Sequence, residues 1–208
     1  VTNYNADYLK VFNSVFRHSQ FTGLVDATDN AILSSIATVA LSSLSTPNTA
    51  GSYSFTVNFG NPLYNPHSGH NEVMGGVIAS TGFYISGNTN EMLFDEDGAG
   101  TLRIYYLVSG VRTYYSLDAG TVDYTTGLVS VNPVYITSVS NVDGSASAAI
   151  RMTATPSSYD IVGKRNQIIE IDTLNTVITG SQDTIAVSGS GSAGGYTTTQ
   201  AYVTPSSY

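Results

Sequence analysis

Turn residues recur at short intervals through the middle of the chain, and they constrain its fold more than any other feature of the sequence. After Pro47, apolar residues alternate with polar ones, first in the run that begins at Tyr53 and ends at Phe59. A period of two is typical of a strand with one buried face. Similar runs follow, and pairs of residues that tolerate a positive φ angle separate them: Gly87-Asn88, Asp97-Gly98, Ser109-Gly110, Ala119-Gly120, Thr126-Gly127 and Asp143-Gly144. Strands joined by such turns pair as antiparallel hairpins.

The hairpin centred on Ser109-Gly110 has the clearest pattern, because both of its strands are rich in Tyr, Leu, Ile and Val. Neighbouring residues on a strand point to opposite faces. We therefore expect one tyrosine of each adjacent pair, Tyr105/Tyr106 and Tyr114/Tyr115, in the core and the other exposed or at an interface. The full set of predicted strands covers residues 53–59, 76–80, 82–86, 91–94, 101–108, 111–117, 120–124, 128–132, 135–139 and 148–155.

A helix is predicted near the N-terminus, with Asn3 or Asn5 as its cap. From Asn5 onward, apolar residues recur at the spacing of one helix face. The simpler interpretation is a helix that packs on this chain's own core. The alternative is a helix that docks on a partner, and its candidate interaction residues are Tyr8, Leu9, Phe12 and Phe16.

A second helix is predicted over residues 29–44. Ile32, Ile36, Ala40 and Leu44 follow a spacing of four, and Thr46-Pro47 ends the pattern. The many Ser and Thr residues weaken its intrinsic propensity.

The end of the chain differs from its middle. Ile168, Ile169 and Ile171 predict a short buried strand, whereas residues 173–208 lack Lys and Arg and contain a Gly/Ser-rich run. The predicted fold is mainly β (α+β), with short N-terminal helices, antiparallel β-hairpins or a sandwich, and an extended C-terminal tail. The predicted domains are residues 1–50 (helical), 51–172 (antiparallel β) and 173–208 (tail).

Composition excludes several functional classes. Only 11% of the 208 residues are charged, against about 25% in average globular proteins. Seven Lys and Arg against fifteen Asp and Glu leave no basic face for nucleic acid. No apolar run approaches the ~20 residues that span a bilayer, and without Cys there is no disulfide or thiolate chemistry. Because the chain begins at Val1, we expect it to be a piece of a longer polypeptide or a processed form.

Two clusters could hold a metal ion. His67, His70 and Glu72 have the right chemistry for a transition metal, but Pro66 and Gly69 indicate a loop, and an exposed polar turn explains these residues more simply.

The acidic residues Asp95, Glu96 and Asp97 suggest calcium. Counted from Asp95, however, the EF-hand pattern fails, since its twelfth residue is Tyr106. An acidic hairpin turn is the simpler interpretation. No serine has the surroundings of a nucleophile. We therefore predict no enzyme activity, cofactor or metal.

Several stretches in sequential order are similar to one protein family. They are FNSVFRHSQF (residues 12–21), YSFTVNFGNPLYNPH (53–67), FDEDGAGTLRIYYLVSGVRTYY (94–115), AGTVDYTTGLVSVN (119–132) and ATPSSYDIVGKRNQIIEID (154–172). Together they resemble the C-terminal half of the large baseplate wedge subunit of T-even-type contractile-tailed phages. The resemblance covers roughly residues 8–172 and does not include the Gly/Ser-rich tail.

The resemblance implies a structural role in the virion. Such subunits pair with a second copy of themselves, contact other wedge and hub proteins, and link neighbouring wedges. The family contributes no catalytic residue or cofactor. An uncharged surface is consistent with this role, because few ions lose their water when neighbours pack on it. The competing hypothesis is a glycan-binding adhesin or carbohydrate-binding module, in which exposed tyrosines stack on sugars.

Overall fold

The structure is a computed structural model, and it describes residues 1–70, 76–142, 144–164, 167–181, 185–186 and 196–197. The chain forms two compact units, Val1–Leu174 and Asn175–Tyr208. Among the described residues, no helix is both long and apolar enough to cross a membrane.

Short helices come first and strands make up most of the rest. Helix α1 (Thr2–Tyr4) continues into a π-helical turn (Asn5–Leu9), and α2 is His18–Asp26. The strands are β1 (Val15–Phe16), β2 (Leu41–Ser45), β3 (Tyr53–Asn58), β4 (Ile78–Ser80), β5 (Phe83–Ile85), β6 (Leu93–Glu96), β7 (Thr101–Val108), β8 (Val111–Asp123), β9 (Leu128–Val134), β10 (Ile136–Val139), β11 (Ile150–Ala154), β12 (Ile161–Val162), β13 (Ile185–Ala186) and β14 (Tyr196–Thr197).

Every strand pair in the described chain is antiparallel. The largest sheet has five strands in the order β3-β9-β8-β7-β6, and a second has the order β2-β11-β4. The remaining pairs are β5 with β10, β1 with β12 and, in the second unit, β13 with β14. The predicted fold class is therefore confirmed: short N-terminal helices are followed by antiparallel sheets. The Gly/Ser-rich run of the predicted tail lies outside the described residues.

The main core lies between the sheets. Phe83 and Phe94 stack at its centre with their ring centroids 4.5 Å apart, and both side chains are fully buried. Met92, Leu102 and Met152 are equally buried around them. The inward residues of β7, β9 and β11 alternate with outward ones, as the period of two predicts.

A smaller apolar cluster joins the two ends of the first unit. Tyr4, Leu9, Phe16 and Ile161 are buried together, with partly buried neighbours around them. Asn5 links the same regions: its Nδ2 donates to the carbonyl of Ile171 (2.8 Å), and the Ile171 N–H donates to Asn5 Oδ1 (2.7 Å). The N-terminal helix is therefore held by residues more than 150 positions away.

The first predicted helix is correct only in part. It ends at Leu9, and the chain then turns through Asn13, whose φ is 60°. Val15 and Phe16 belong instead to β1, which pairs with β12. The apolar spacing continues through this turn and therefore predicts a longer helix. The pairing of β1 with the distant strand β12 overrides this local pattern. Neither Asn3 nor Asn5 caps the helix, which begins after Val1 without a side-chain cap. Helix α2 was not predicted from the sequence. It contains Gly23, and none of its residues is buried, so that it shows no clear apolar face.

The predicted helix at residues 29–44 is wrong. This segment is irregular up to residue 40, and β2 then pairs with β11. A helix has little intrinsic support here, because the segment is rich in Ser and Thr. Pairing with β11 stabilises its last residues as a strand instead. Ile36, taken as a helix-face residue, is 97% exposed.

The predicted strand at residues 168–171 is also absent: this segment belongs to no helix or strand, and Ile168 is exposed. The other strand predictions are confirmed within a few residues, except that 111–117 and 120–124 form the single strand β8.

Candidate protein-interaction surfaces

The hairpin of β7 and β8 extends beyond the sheet that carries it. Strand β6 pairs with β7 only from Leu102 to Tyr105, and β9 pairs with β8 only from Gly120 to Asp123. Between these limits the two strands pair only with each other among the described residues. We call residues 105–117 the arm.

The arm ends in a tight turn that the sequence predicted correctly. Val108 lies opposite Val111, and the two residues between them, Ser109 and Gly110, have φ angles of 51° and 82°. Two successive positive φ angles define a type I′ turn, whose twist matches that of the paired strands. From the pair of Tyr105 and Tyr114 to its tip, the arm is therefore a regular two-stranded ribbon.

The arm exposes apolar side chains on both faces. Val111 is 67% exposed and Leu117 65%, and three further side chains are at least half exposed: Leu107, Val108 and Tyr115. If each contributes roughly 100 Å², these five residues expose about 500 Å² of mainly apolar surface. This surface is divided between the two faces, and its extent is in the range of the largest apolar patches of monomers, which are often functional.

An open groove lies beside the base of the arm. Its volume is about 240 Å³, and its lining includes Ile104, Tyr115, Ala119, Val134 and Tyr135. It opens where β9 leaves β8 after Val131, next to the part of β8 that no strand covers on this side in the described chain. The groove therefore continues the exposed surface of the arm toward the core, and its lining also contains the polar side chains of Ser86, Ser116, Asp118 and Asn132.

The tyrosines of the arm follow the prediction only in part. Tyr106 packs against the main core, and Tyr105 lies on the opposite face. Tyr114 and Tyr115, however, are both exposed. The register of β7 and β8 shifts between Ile104 and Tyr105, so that Tyr115 lies in a bulge. A bulge breaks the alternation of faces, which the sequence did not reveal.

A charged cluster fixes the arm to β6. The Asp95 carboxylate, 1% exposed, accepts hydrogen bonds from Arg103 Nε (3.0 Å), Arg112 Nη1 (2.8 Å) and the Tyr114 hydroxyl (3.1 Å). The two guanidinium groups also lie over aromatic rings, Arg103 over Tyr114 at 4.5 Å and Arg112 over Tyr105 at 4.7 Å. We call these five residues the Asp95 cluster.

The Asp95 cluster also affects its own titrating groups. Burial raises the pKa of the Tyr105 hydroxyl. Burial opposes the charge on Arg112, but the nearby Tyr105 and Asp95 raise its pKa above the usual value. Both residues therefore keep their protons.

The adjacent acidic residues are engaged within the chain. Glu96 is fully buried and accepts hydrogen bonds from the N–H groups of Val77 and Gly98 and from the Tyr124 hydroxyl. Burial, together with this carboxylate, raises the pKa of Tyr124. Asp97 accepts from the N–H groups of Ala99 and Thr101, which hold its pKa below the usual range even though partial burial acts the other way. These bonds form the acidic hairpin turn that the sequence predicted.

The four interaction residues suggested by the sequence separate into two pairs. Leu9 and Phe16 are buried in the small cluster of this chain. Tyr8 is 40% exposed and Phe12 is 67% exposed. The rings of Tyr8 and Tyr4 are 5.0 Å apart, so that the buried cluster continues to the surface at Tyr8. Tyr8 and Phe12 together form what we call the N-terminal patch.

The two loop histidines are close together. His67 Nε2 and His70 Nδ1 are 3.1 Å apart, and both side chains are exposed. Glu72, the third residue of the suggested metal set, lies outside the described residues. In the part of the chain that the structure describes, no three His, Cys, Asp or Glu side chains are grouped as a metal site requires.

A charge-poor β protein with a projecting apolar arm has the features of a structural assembly protein. Comparison with known families agrees: residues 1–43 match the family described as baseplate structural protein gp6, C-terminal domain III. The match supports a gp6-like baseplate wedge protein, and the resemblance seen in the sequence is confirmed. A search of curated proteins found no match.

The match indicates the location and the general role. It places the chain in the baseplate of the virion. The matched family is structural, which implies a protein that is not an enzyme and that assembles with other baseplate proteins. The matched residues contain α1, β1, α2 and the N-terminal patch, whereas the arm lies outside the match.

Proposed function

We propose that this protein is a wedge subunit whose arm is its main contact with a second copy of the same chain. In this role it joins neighbouring subunits of the baseplate by protein–protein contacts and carries out no chemistry. The observation that carries the proposal is the exposure of five large apolar side chains on a ribbon that projects beyond its sheet.

The area of the arm fits a pair of identical chains. Two arms that wrap around one another so that both faces are covered remove about 1,000 Å² from water, whereas contact through one face removes roughly half of this; specific interfaces bury about 1,200 Å² or more. The groove beside Tyr115 and the free edge of β8 supply additional area. The most exposed tip residues, Val108 and Val111, carry no charge, so that their burial leaves no ion without water.

The N-terminal patch is a second proposed contact, directed at a different wedge protein. Phe12 follows the helix on a turn, and Tyr8 is supported from beneath by Tyr4. Leu9 and Phe16 act through this support, since they hold the patch in place from within the chain. An exposed aromatic pair on a rigid base is the usual form of an interface anchor.

The test is the mass of the chain in solution over a range of concentrations, measured by sedimentation velocity. We expect the wild-type chain to form dimers, and the double variant Leu107→Ser/Val111→Ser to remain monomeric at concentrations at least about tenfold higher. The thermal unfolding midpoint of the variant should stay close to that of the wild type at low concentration, because both side chains are exposed.

The matched control is Leu33→Ser/Ile36→Ser, which removes two apolar side chains outside the arm that are even more exposed than Leu107 and Val111. This control should dimerise like the wild type. Loss of the dimer in the control but not in the arm variant would overturn the proposal, and so would a wild-type chain that stays monomeric at every concentration.

A further inference from the structure

We propose that His67 and His70 form a binding site for a divalent first-row transition metal ion, and that the site accepts Zn²⁺, Cu²⁺ or Ni²⁺. The site is independent of the arm and of the contacts proposed above. It would use His67 Nε2 and His70 Nδ1 as the two protein ligands, with water in the remaining coordination positions.

The distance between the two nitrogens carries the proposal. They are 3.1 Å apart. Metal–nitrogen bonds of about 2.0–2.1 Å place two ligands roughly 3.3 Å apart in a tetrahedral zinc site and roughly 2.9 Å apart at neighbouring positions of a square-planar or octahedral site. The observed separation lies between these values, so that the nitrogen–nitrogen distance changes by only about 0.2 Å in either geometry, while the rings turn so that both lone pairs point at the ion.

The hydrogen bond on the far side of His67 orients the ring for this purpose. Its Nδ1 lies 3.2 Å from the carbonyl oxygen of Ser68, which can only accept, so Nδ1 carries the proton and donates it. The lone pair of His67 therefore lies on Nε2, the atom that faces His70. Metal-bound histidines typically donate their second ring nitrogen to such a carbonyl, which fixes both the tautomer and the ring orientation.

The proton of His70 defines what metal binding must change. Because His67 Nε2 is an acceptor, the metal-free contact requires His70 Nδ1 to donate its proton to it. A metal ion at this point needs the lone pair of His70 Nδ1. The proton then moves to His70 Nε2 through solvent, and the neutral ring binds without a net loss of protons.

The loop that carries both rings is held by its own contacts. The His70 N–H donates to the carbonyl of His67 (3.1 Å), and the N–H of Gly69 donates to the carbonyl of Gly98 (2.9 Å). Gly69 has a φ of 77°, a left-handed conformation that favours glycine. The Tyr64 ring lies edge-on to His70 at 5.5 Å. The two ligands are therefore placed together before an ion arrives, and less ordering is needed on binding.

The test is a titration of the full chain, without a histidine tag, with Zn²⁺ and Ni²⁺ by calorimetry and with Cu²⁺ by electron paramagnetic resonance. We expect one equivalent of each ion to bind and the copper spectrum to show two imidazole nitrogens. The variants His67→Gln and His70→Asn keep a polar group near the ligand atom but replace imidazole by an amide. Each should weaken binding by at least about tenfold.

The matched control is His18→Gln, which removes the third histidine of the chain. The His18 ring contacts the Ala37 carbonyl and Tyr159 and has no histidine beside it, so this variant should bind metal like the wild type. The proposal is overturned if the wild-type chain binds none of the three ions at submillimolar concentration, or if His67→Gln and His70→Asn bind as tightly as the control.

Discussion

The two halves of the β7–β8 hairpin show how one pair of strands can serve two purposes. In the base, Leu102 and Ile104 are buried between neighbouring strands, and the nearby carboxylates of Asp95 and Glu96 have all their partners within the chain. In the arm, the alternation of buried and exposed residues is lost, and Leu107, Val108 and Val111 all face solvent.

The difference between the halves lies in what covers them, because both are rich in apolar residues. Apolar residues at the base stabilise the fold of the chain itself. Apolar residues on the arm gain nothing until another chain covers them. Substitutions at the base should therefore change the free energy of unfolding, whereas substitutions on the arm should change association.

The largest effect on stability is expected in the core beside the base, on β6, where Phe94 lies opposite Ile104. Phe94→Ala removes a fully buried ring that stacks on Phe83, and the lost burial and the remaining cavity should cost about 3–5 kcal/mol of unfolding free energy. Leu107→Ala on the arm should cost less than about 0.5 kcal/mol. Urea unfolding of the monomer measures both values. Equal costs at the two positions would remove the distinction between base and arm.

A slightly smaller loss is expected where the base holds the arm. Asp95→Ala leaves the guanidinium of Arg103, which is nearly buried, without its carboxylate. Breaking a buried ion pair on one side should cost about 3 kcal/mol. The matched control is Asp118→Ala, an exposed carboxylate on the same hairpin, for which we expect a change within about 0.5 kcal/mol. A similar, small cost for both variants would show that the Asp95 cluster does not brace the arm.

A substitution in the turn at the tip should have a smaller effect on stability, and it should stabilise the fold where the preceding substitutions destabilise it. Ser109 has a φ of 51°, a conformation that asparagine adopts more readily than serine. Ser109→Asn should therefore stabilise the hairpin by about 0.5 kcal/mol. The measurement is the thermal unfolding midpoint. The control is Ser116→Asn, which makes the same exchange within strand β8. A fall in the midpoint of Ser109→Asn would contradict the type I′ turn.

The smallest effect is expected from the loss of the Asp97 carboxylate, whose contribution to the free energy of unfolding depends on pH. The pKa of Asp97 is lowered in the folded chain, so its ionised form stabilises the fold at pH values above its unfolded pKa of about 4 and stops doing so as the pH falls through the lower, folded value. Asp97→Asn should cost roughly a few tenths of a kcal/mol at neutral pH, because the group is only partly buried and solvent screens its charge. The difference from the wild type should vanish toward pH 3 in urea unfolding. If the difference in unfolding free energy between Asp97→Asn and the wild type grew in acid, the pKa of Asp97 would be raised rather than lowered in the folded chain.

The sequence predicted the hairpins well because their information is local. Alternation and turn residues lie within a few positions of each other, and both strands and turn of residues 101–117 follow from them. The N-terminal elements could not be predicted in this way. Asn5 bonds to Ile171 and β1 pairs with β12, so that contacts across more than 140 positions decide where the first helix ends.

The exposed apolar surfaces were predicted less completely than the fold. A period of two shows which residues share a face, but it cannot show that β6 and β9 leave the arm uncovered, which depends on strand lengths across the sheet. The sequence therefore placed the tyrosines but missed Leu107, Val111 and Leu117. It also placed His67 and His70 in a polar turn but could not give the distance between their rings.

The most direct test of the account is amide hydrogen exchange of the arm, measured in dilute monomer and again in the associated protein. Outward-facing amides of β8 between residues 111 and 117 should exchange rapidly in the monomer and become protected by at least about tenfold on association, while amides of Leu102 and Ile104 stay protected in both states. Unchanged exchange along the arm, with protection appearing elsewhere on the chain, would contradict the claim that the arm is the surface by which this subunit joins a second copy.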